Sequence, residues 1–359
     1  MPRLNLRRVI ASPRCALPFR VTSKIPSLRL LRRTSLLKYR SVGFVPTMGA
    51  LHLGHLALIR QAARENDDVY VSIYVNPAQF GIQEDLSKYP RTWSLDSARL
   101  ERLQDELQHD SSRGRIRVIF MPRTEHMYPT LPPDSNFEAD GSFVTVTPLS
   151  RRLEGASRPV FFRGVATVVM KLLNIVRPEK LYLGQKDIQQ AFVIKQMIRD
   201  FHVDTQLVVG PTMREADGLA MSSRNVYLGE RRRRMATILW KALKETEKLF
   251  AQGARQRRYL YQGAMDFLTK AQKQQAALPA SQRVIFEVDY VSIADADTLE
   301  ELDSVPSESG AIVSGAIKLL PLEQPQDGES LGKGDDETAV RLIDNIRLDL
   351  LSAKLNQSF

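Results

Sequence analysis

Two histidines lie three residues apart in the stretch VPTMGALHLGH, which occupies residues 45 to 55. An apolar strand candidate leads into the stretch, Gly49 and Gly54 lie within it, and a helix is predicted just after it. Backbone N–H groups at the start of a helix bind anions, and glycine lets a phosphate approach the backbone closely. His52 and His55 can therefore face one phosphate-bearing ligand and stabilise the charge that develops on it. A zinc-binding pair and two ordinary surface histidines are the alternatives.

Three other segments carry side chains that suit a nucleotide and a polar substrate: YVNPAQFG, LGQKDIQQ and MSSRN. In the first, Gln79 can bind a polar substrate. In the second, Lys186 can pair with phosphate, and Asp187 can cap a helix or accept a hydrogen bond from a ribose hydroxyl. The third, at 221–225, combines two hydroxyls and an arginine, as a loop closing over a triphosphate would. Taken alone, MSSRN is better interpreted as an ordinary polar loop, and most Lys-Asp pairs such as Lys186 and Asp187 are only surface charge.

Short apolar strands alternate with amphipathic helices up to Gly210. This alternation is typical of a parallel sheet covered by helices on both faces, and ligands of such sheets bind at the carboxyl ends of the strands. The fold class predicted here is therefore α/β, with a Rossmann-like parallel sheet. The predicted strands are 41–45, 69–75, 116–121, 144–147, 180–183 and 206–209, and the predicted helices are 56–65, 93–108, 165–176 and 188–201.

After Gly210 the pattern predicts a smaller α+β domain. Its predicted helices are 231–252 and 258–276, and its predicted strands are 284–293, 311–319 and 340–346. The polar, acidic and glycine-rich segment 321–337 is predicted to be a disordered insertion. The expected domains are a disordered basic leader at 1–23, a nucleotide- and substrate-binding domain at 24–212, and a C-terminal lid domain at 213–359.

The positive charge of the chain is concentrated near its start. Of 51 lysines and arginines, 11 lie in residues 1–40, which hold no acidic residue, so 40 basic and 41 acidic residues remain for the body. A balanced body argues against nucleic-acid binding. The leader reads equally as a mitochondrial import signal and as a solvated tail, so cytoplasmic location and import are both open. The single cysteine excludes an internal disulfide, and no apolar run is long enough to cross a membrane.

The motifs occur together in an order that resembles the pantothenate synthetase (pantoate–β-alanine ligase) family, in a eukaryotic or fungal-like variant. The resemblance covers about residues 24 to 346 and implies the fold of the adenylate-forming nucleotidyl-transferase superfamily. The matching segments are GFVPTMGALHLGH, VNPAQFG, YPRT, LEGASRP, FRGVATVV, KDIQQ, DGLAMSSRN and RLIDN.

The resemblance implies a two-step reaction. ATP and (R)-pantoate form pantoyl adenylate and pyrophosphate, and β-alanine then displaces AMP to give pantothenate, a precursor of coenzyme A. Adenylation supplies a leaving group to an otherwise unreactive carboxylate, and a closed, dry site protects the adenylate from hydrolysis. ATP as substrate, Mg²⁺ and a homodimer are implied, and neither a nucleic-acid nor a membrane partner is expected.

The resemblance also implies roles for individual residues. The implied catalytic set is His55 (the acid residue), His52, Lys186, Ser222, Ser223 and Arg224. The implied ATP-binding set is Met48, Gly49, Ala50, Leu51, His52, Leu53, Gly54, His55, Gly184, Gln185, Lys186, Asp187, Met213, Met221, Ser222, Ser223 and Arg224. The implied pantoate-binding pair is Gln79 and Gln190, with Gln79 shared with β-alanine, and Asp96 is a magnesium-associated position.

Some positions depart from the family pattern. Gln185 stands where the family usually has glutamate, and Val160 and Phe161 replace a Gly-His pair in SRPGHFRG. The main alternative is a related adenylyl- or cytidylyltransferase, which shares the histidine motif but not the two glutamines. A tRNA synthetase and a nucleotide-binding pseudoenzyme are further alternatives. The body is short for the former, and the intact catalytic set argues against the latter.

Overall fold

A six-stranded parallel sheet forms the first part of the structure, a computed structural model that describes residues 17–81, 86–110, 112–130, 132–134, 136, 138–333 and 338–349. The strand order is β1-β4-β3-β2-β5-β6. The strands are β1 (Arg20–Thr22), β2 (Val42–Thr47), β3 (Asp68–Ile73), β4 (Arg115–Phe120), β5 (Lys180–Gly184) and β6 (Gln206–Gly210). The helices of this part are α1 (Ile25–Leu37), α2 (Leu53–Glu65), α3 (Trp93–His109), α4 (Thr124–Met127), α5 (Glu154–Ser157), α6 (Phe161–Val176) and α7 (Ile188–Asp200).

Both faces of this sheet are covered by helices. Successive residues of a strand point to opposite faces, so Phe44 packs with α1, α6 and α7, while Val45 packs with α2 and α3. A strand that is covered on both sides is mostly apolar, and β2 and β3 are mostly apolar between polar residues near their ends. The structure confirms the predicted α/β fold class. The carboxyl ends of β2, β3, β5 and β6 meet at one edge of the sheet, where the polar segments follow them.

The predicted leader is partly folded, so the prediction of disorder over 1–23 is wrong for its last residues. Residues 1–16 lie outside the described residues, but Arg20–Thr22 pair in parallel with β4 as the edge strand. Three of the next basic residues belong to α1, which has Pro26 in its first turn and buries Leu28 and Arg32. The Arg32 Nε donates to the carbonyl oxygen of Arg177 at 2.9 Å. Seven of the 11 basic residues of segment 1–40 therefore lie from Arg20 onward in the described fold.

Two other predicted elements differ from the structure. Residues 144–147 form no strand, and the Val144 N–H donates instead to the Thr167 hydroxyl of α6 at 2.9 Å. The long helix predicted at 231–252 is divided in two, because the helical run is interrupted around Ala236 and Thr237.

A three-stranded antiparallel sheet in the order β7-β8-β9 and its helices form the second part. The elements are α8 (Gly229–Met235), α9 (Ile238–Ala251), α10 (Arg257–Ala276), β7 (Phe286–Asp295), β8 (Ala311–Leu319) and β9 (Val340–Leu348). Helices α9 and α10 pack on this sheet around a second apolar core. The two separate apolar cores support a domain boundary close to residue 213. The division of the chain into these two domains stays a proposal.

Residues 321–333 of the predicted disordered insertion are ordered in the structure, and residues 334–337 lie outside the described part. Acidic and amide side chains of the segment find fixed partners, which sequence composition does not reveal. Glu329 forms a buried ion pair with Arg231 of α8, and the Gln326 amide donates to the carbonyl oxygen of Ser281 at 2.6 Å. The predicted disorder is therefore wrong for 321–333.

Strand β9 fastens the second part to the first. The Asn345 amide donates to the carbonyl oxygens of Gln185 and Lys186 at 2.8 and 3.0 Å. Arg214 forms a bidentate ion pair with Asp344, at 2.6 and 2.9 Å, so the segment after β6 is also held by β9. These contacts fix two of the polar segments relative to each other.

The close approach of α6 to the turn at Pro77–Gln79 generates a prediction. A Cβ added at Gly164 would lie 2.1 Å from the carbonyl oxygen of Ala78, so Gly164→Ala must push the turn away. We expect Gly164→Ala to lower the free energy of unfolding by about 1–3 kcal/mol, measured by urea denaturation. Gly81→Ala is the control, because a Cβ there meets no atom within 4 Å. Equal stability of the Gly164→Ala protein would contradict the packing described here.

Candidate active site

A cleft of about 1320 Å³, a volume that includes space open to solvent, lies at the carboxyl edge of the parallel sheet. Segments that follow β2, β3, β5 and β6 all contribute to it. The sequence-predicted residues that line it are Met48, His52, Gly54, His55, Gln79, Gly184, Lys186, Asp187, Gln190, Met213, Met221, Ser222, Ser223 and Arg224. Four segments that are distant in sequence therefore form one site.

The first turn of the site is held by Asp96 of α3. Gly49 and Ala50 both have left-handed backbone, with φ of 82° and 49°, so the turn needs external support. The carboxylate of Asp96 accepts the N–H groups of Ala50 and Leu51, each at 2.9 Å. Asp96 itself is 1% exposed. Its two oxygens thus hold the backbone that leads into α2.

The two histidines close the N-terminus of α2 reciprocally. The His52 backbone N–H donates to Nδ1 of His55 at 3.3 Å, and the Gly54 N–H donates to Nδ1 of His52 at 3.2 Å. The two ring centroids are 4.0 Å apart. Because each Nδ1 accepts a hydrogen bond, a neutral ring carries its proton on Nε2. Both rings line the cleft and can therefore donate Nε2–H groups to a ligand there.

The surroundings of the histidines favour their neutral forms. Burial and then the nearby Lys186 ammonium lower the pKa of His52 to about 4. Burial, followed by His52 and Lys186, also lowers the pKa of His55 well below its usual value. Without a ligand the pair is therefore uncharged at neutral pH. An arriving polyanion would raise both pKa values, since opposite charge favours the protonated form.

The loop at 222–224 faces the histidines across the cleft. The Ser222 hydroxyl caps the short turn Ser223–Tyr227 by accepting the Arg224 N–H at 3.2 Å. The Ser223 hydroxyl lies 3.1 Å from the phenol oxygen of Tyr89. Among the described residues, no carboxylate pairs with the Arg224 guanidinium, which is thus available to an anionic ligand.

Only part of the turn after β5 lines the cleft. Lys186 and Asp187 line the cleft, with the Lys186 Nζ 3.4 Å from a carboxylate oxygen of Asp187. Gln185 points elsewhere: its amide donates to the Asn345 side-chain oxygen at 3.2 Å. The departure from glutamate at this position therefore falls outside the cleft and contributes to the attachment of β9.

Gln79 and Gln190 lie in the same cleft on opposite segments. The Gln79 amide oxygen accepts from Asn76 at 3.1 Å, and its nitrogen lies 3.2 Å from the Met48 sulfur, so its orientation is set. Gln190 forms no hydrogen bond with any described residue, whereas the adjacent Gln189 donates to the carbonyl oxygens of Leu149 and Arg152. Of two consecutive glutamines, one supports the fold and the other is open to the cleft.

Several predicted residues do not line this cleft. Leu51 is fully buried in the core and Leu53 is 52% exposed, and Gly49 and Ala50 form the supported turn. Asp96, predicted as magnesium-associated, uses both oxygens on backbone N–H groups. A positioning role fits its contacts better than metal ligation does.

Sequence reasoning missed two groups of residues that line the cleft. The first is polar: Tyr89, whose pKa is raised by burial, and Asn76, which accepts from the Tyr128 phenol at 2.7 Å. Both lie within the quoted motifs YPRT and VNPAQFG, which was the only available signal. The second is an apolar wall from α6, of which Val165, Val168, Val169 and Leu172 were predicted only as part of a buried helix; Phe161, where the sequence departs from the family pattern, joins them. The cleft therefore has a polar, donor-rich side and an apolar side.

No group of three or more histidine, cysteine or acidic side chains that could hold a metal occurs in the described ranges. Within these ranges, His52 and His55 therefore have no third side chain with which to bind zinc. No helix in the described part of the chain is long and apolar enough to cross a membrane.

The parallel sheet, the capped turn and the opposing hydroxyl–arginine loop define an α/β enzyme of the nucleotidyl-transferase type. The profile of the pantoate-beta-alanine ligase family matches residues 20–347. The chain is 44% identical over 306 residues to the pantothenate synthetase of Roseiflexus castenholzii, covering 84% of this chain and 95% of that protein. It is 45% identical over 285 residues to that of Acidobacterium capsulatum, covering 78% and 85%.

Solved structures agree with this result. The pantothenate synthetase of Thermus thermophilus superposes with a TM-score of 0.71 at 35% identity, covering 92% of this chain and all of that one. The ligase of Francisella tularensis, solved with β,γ-ATP and β-alanine, gives a TM-score of 0.60 at 28% identity, covering 92% and 97%. The chain belongs to the pantoate–β-alanine ligase family, and the family assignment made from the motifs is confirmed.

The low pKa of His52 predicts a pH-dependent stability. The unfolded chain binds a proton near pH 6.5 and the folded chain only near pH 4, so stability is full above 6.5 and falls between 6.5 and 4. Between pH 7 and pH 5, the decrease in the free energy of unfolding should be about 2 kcal/mol smaller in His52→Asn than in the wild type. The asparagine keeps an oxygen that can cap the helix. Urea unfolding at both pH values measures this, with exposed His109→Asn as control. An unchanged loss in His52→Asn would refute the assignment.

The contacts of Asp96 predict an effect on ATP binding. In Asp96→Asn the amide N–H would face a backbone N–H, leaving a donor unsatisfied at a cost of about 1–3 kcal/mol. We expect the KM for ATP to rise about tenfold while the Mg²⁺ concentration for half-maximal rate stays the same. Asp105→Asn on the exposed side of α3 is the control. A large shift in the Mg²⁺ requirement would instead favour metal ligation by Asp96.

Proposed function

We propose that this chain uses the cleft to join (R)-pantoate to β-alanine in two steps, through pantoyl adenylate, as its family membership supports. The observation that carries the proposal is the convergence of the histidine pair, Lys186, the 222–224 loop and the two glutamines on one cleft. The adenylyl- and cytidylyltransferase alternative is not supported, because all the relatives compared above are pantoate–β-alanine ligases or pantothenate synthetases.

In the first step a carboxylate oxygen of pantoate attacks the α-phosphorus of ATP, and the bond to the β-phosphate breaks to release pyrophosphate. Negative charge builds up on the phosphates during this step. The Nε2–H groups of His52 and His55, the Lys186 ammonium and the Arg224 guanidinium all line the cleft and can stabilise that charge. Neutral histidines donate hydrogen bonds without the cost of burying a charge before ATP arrives.

Pantoate suits the two-sided character of the cleft. Its hydroxyl groups and carboxylate need hydrogen-bond partners, which Gln79 and Gln190 offer, and its two methyl groups need an apolar surface, which α6 offers. Phe161, which replaces the family's histidine, belongs to this apolar wall. In the second step the neutral amine of β-alanine attacks the adenylate carbonyl, AMP leaves, and the amine proton passes to solvent or to AMP. Gln79 is proposed to contact β-alanine as well.

The remaining ATP contacts are proposed from position. Met213 follows β6, where its backbone can bind adenine, and Gly184 leaves room beside the turn after β5. Asp187 is the one carboxylate among the described residues that line the cleft, and its side chain is 46% exposed. It fits a Mg²⁺ ion that arrives on the ATP phosphates and neutralises part of their charge. Asp96, with both oxygens engaged, does not fit that role.

The homodimer and the cellular compartment remain proposals of a different kind, because they rest on family resemblance and on composition. Any import signal would have to lie mainly in the arginines before Arg20, since the basic residues from Arg20 to Arg40 belong to the described fold.

Product analysis of the purified protein tests the proposed function. We expect pantothenate, AMP and pyrophosphate only when ATP, Mg²⁺, pantoate and β-alanine are all present. His55→Ala should slow the pantoate-dependent exchange of pyrophosphate into ATP by about 10²-fold, the scale of losing one donor to developing charge. The exposed His109→Ala is its control. Release of ADP would indicate an acyl-phosphate route and contradict the proposal.

A further inference from the structure

A second cleft of about 1300 Å³ lies between the two parts of the chain, next to the first. Tyr89, Lys186, Ser222 and Arg224 line both clefts, so the two spaces share a wall made of groups that can bind phosphate. The basic residues that line the second cleft are Lys88, Arg158, Lys186, Arg224, Lys333 and Arg341. These basic residues suit the far end of a polyphosphate chain, whereas the other lining residues include the apolar Leu219, Leu239, Trp240 and Leu342.

The acidic groups of the second cleft are already neutralised. Glu154 accepts from Arg158 at 2.9 Å and from Arg341 at 2.7 Å, and Asp344 is held by Arg214. Lys333 and Arg224 form no ion pair with a described residue. The charge of these two cations is therefore not already used in an ion pair within the described part of the cleft.

Lys333 is the last described residue of the segment 321–333, which sequence analysis treated as an extra insertion. Its backbone N–H donates to the carbonyl oxygen of Val226 at 2.9 Å, two residues beyond Arg224. The N–H of Glu230 donates to the carbonyl oxygen of Ser330 at 2.8 Å. The insertion therefore runs past the end of the phosphate loop, residues 222–227, and is hydrogen bonded to Val226 of that loop and to Glu230 at the start of α8.

A buried arginine links the insertion to the phosphate loop by hydrogen bonds. Arg232 of α8 is 2% exposed, and its guanidinium donates to the carbonyl oxygens of Tyr227 at 2.7 Å and of Leu331 at 3.3 Å. One charged group thus bonds the loop and the insertion together, and leaving either carbonyl without its donor would be costly. The placement of Lys333 beside the phosphate loop is consequently fixed by the fold.

We propose that Lys333 is a polyphosphate-binding residue. The insertion, residues 321–333, places it in the lining of the second cleft together with Arg224. The inference rests on the proposed function, because it assumes that ATP phosphates occupy the shared wall of the two clefts. The ligand chemistry is a diphosphate, either as the β,γ-phosphates of ATP or as the free pyrophosphate that the first step releases.

Calorimetric titration of the full chain with pyrophosphate and with α,β-methylene-ATP tests this assignment. Lys333→Gln should raise the Kd of at least one of them about tenfold, the scale of one hydrogen bond between charged groups. Lys333→Arg should stay within about threefold of the wild type, because it keeps the charge and the donors. Lys270→Gln, on the exposed side of α10, is the matched control, and circular dichroism checks that every variant is folded.

The two ligands distinguish the sources of the diphosphate. Weaker binding of the ATP analogue alone assigns Lys333 to bound ATP, and weaker binding of pyrophosphate as well extends the role to the leaving group. The difference between Lys333→Gln and wild type should shrink as salt rises, since the contact is exposed. Unchanged Kd values for both ligands overturn the assignment. The binding measurements do not depend on product formation. A wild-type protein that binds the ligands but makes no pantothenate would therefore refute the proposed function without refuting the role of Lys333.

Discussion

The reciprocal hydrogen bonds at the start of α2 are the interaction on which the site depends. Each histidine uses Nδ1 to accept a backbone N–H, so each neutral ring, which lines the cleft, keeps its Nε2–H group as a donor for a ligand. The same bonds satisfy N–H groups that any helix leaves unpaired in its first turn. The same two side chains therefore stabilise the start of the helix and offer hydrogen-bond donors to a ligand. The buried carboxylate of Asp96 holds the strained turn that precedes them.

The second part of the chain completes the site by holding loops in place. Strand β9 contacts the turn that carries Lys186, and Arg214 with Asp344 anchors the segment that leads to the phosphate loop. The insertion and Arg232 hold the other end of that loop. Each loop that brings a cation to the clefts is therefore supported at its backbone, which places charge before the substrate arrives and limits reorganisation during the reaction.

Much of the fold could be predicted because most strands of the parallel sheet contain a short apolar run, and several are followed directly by polar motifs. The edge strand Arg20–Thr22 and α1 could not, since their basic composition is shared with targeting peptides and their burial depends on distant partners. The order of 321–333 was missed for a related reason: Glu329 looks like a solvated acid until Arg231 is placed beside it. The composition of a short segment does not show which distant residues its side chains will pair with.

The site was predictable as a set of segments and less so as individual roles. Motif order located His52, Lys186 and Gln190, all of which line the cleft. It gave no means to tell that Asp96 supports a backbone turn or that Gln185 faces β9, because neighbouring residues of a turn point in different directions. The apolar wall of α6 was also hidden, since a buried helix and a helix lining a cleft have similar patterns.

The central claim is that His52 and His55 are neutral and carry their protons on Nε2. Imidazole nitrogen chemical shifts, recorded by NMR on ¹⁵N-histidine-labelled protein at pH 7 and assigned with His52→Asn and His55→Gln, test it directly. The account predicts that both rings show a protonated Nε2 and an unprotonated Nδ1 in the ligand-free protein. A proton on Nδ1 of either ring, or an imidazolium signal at pH 7, would contradict it.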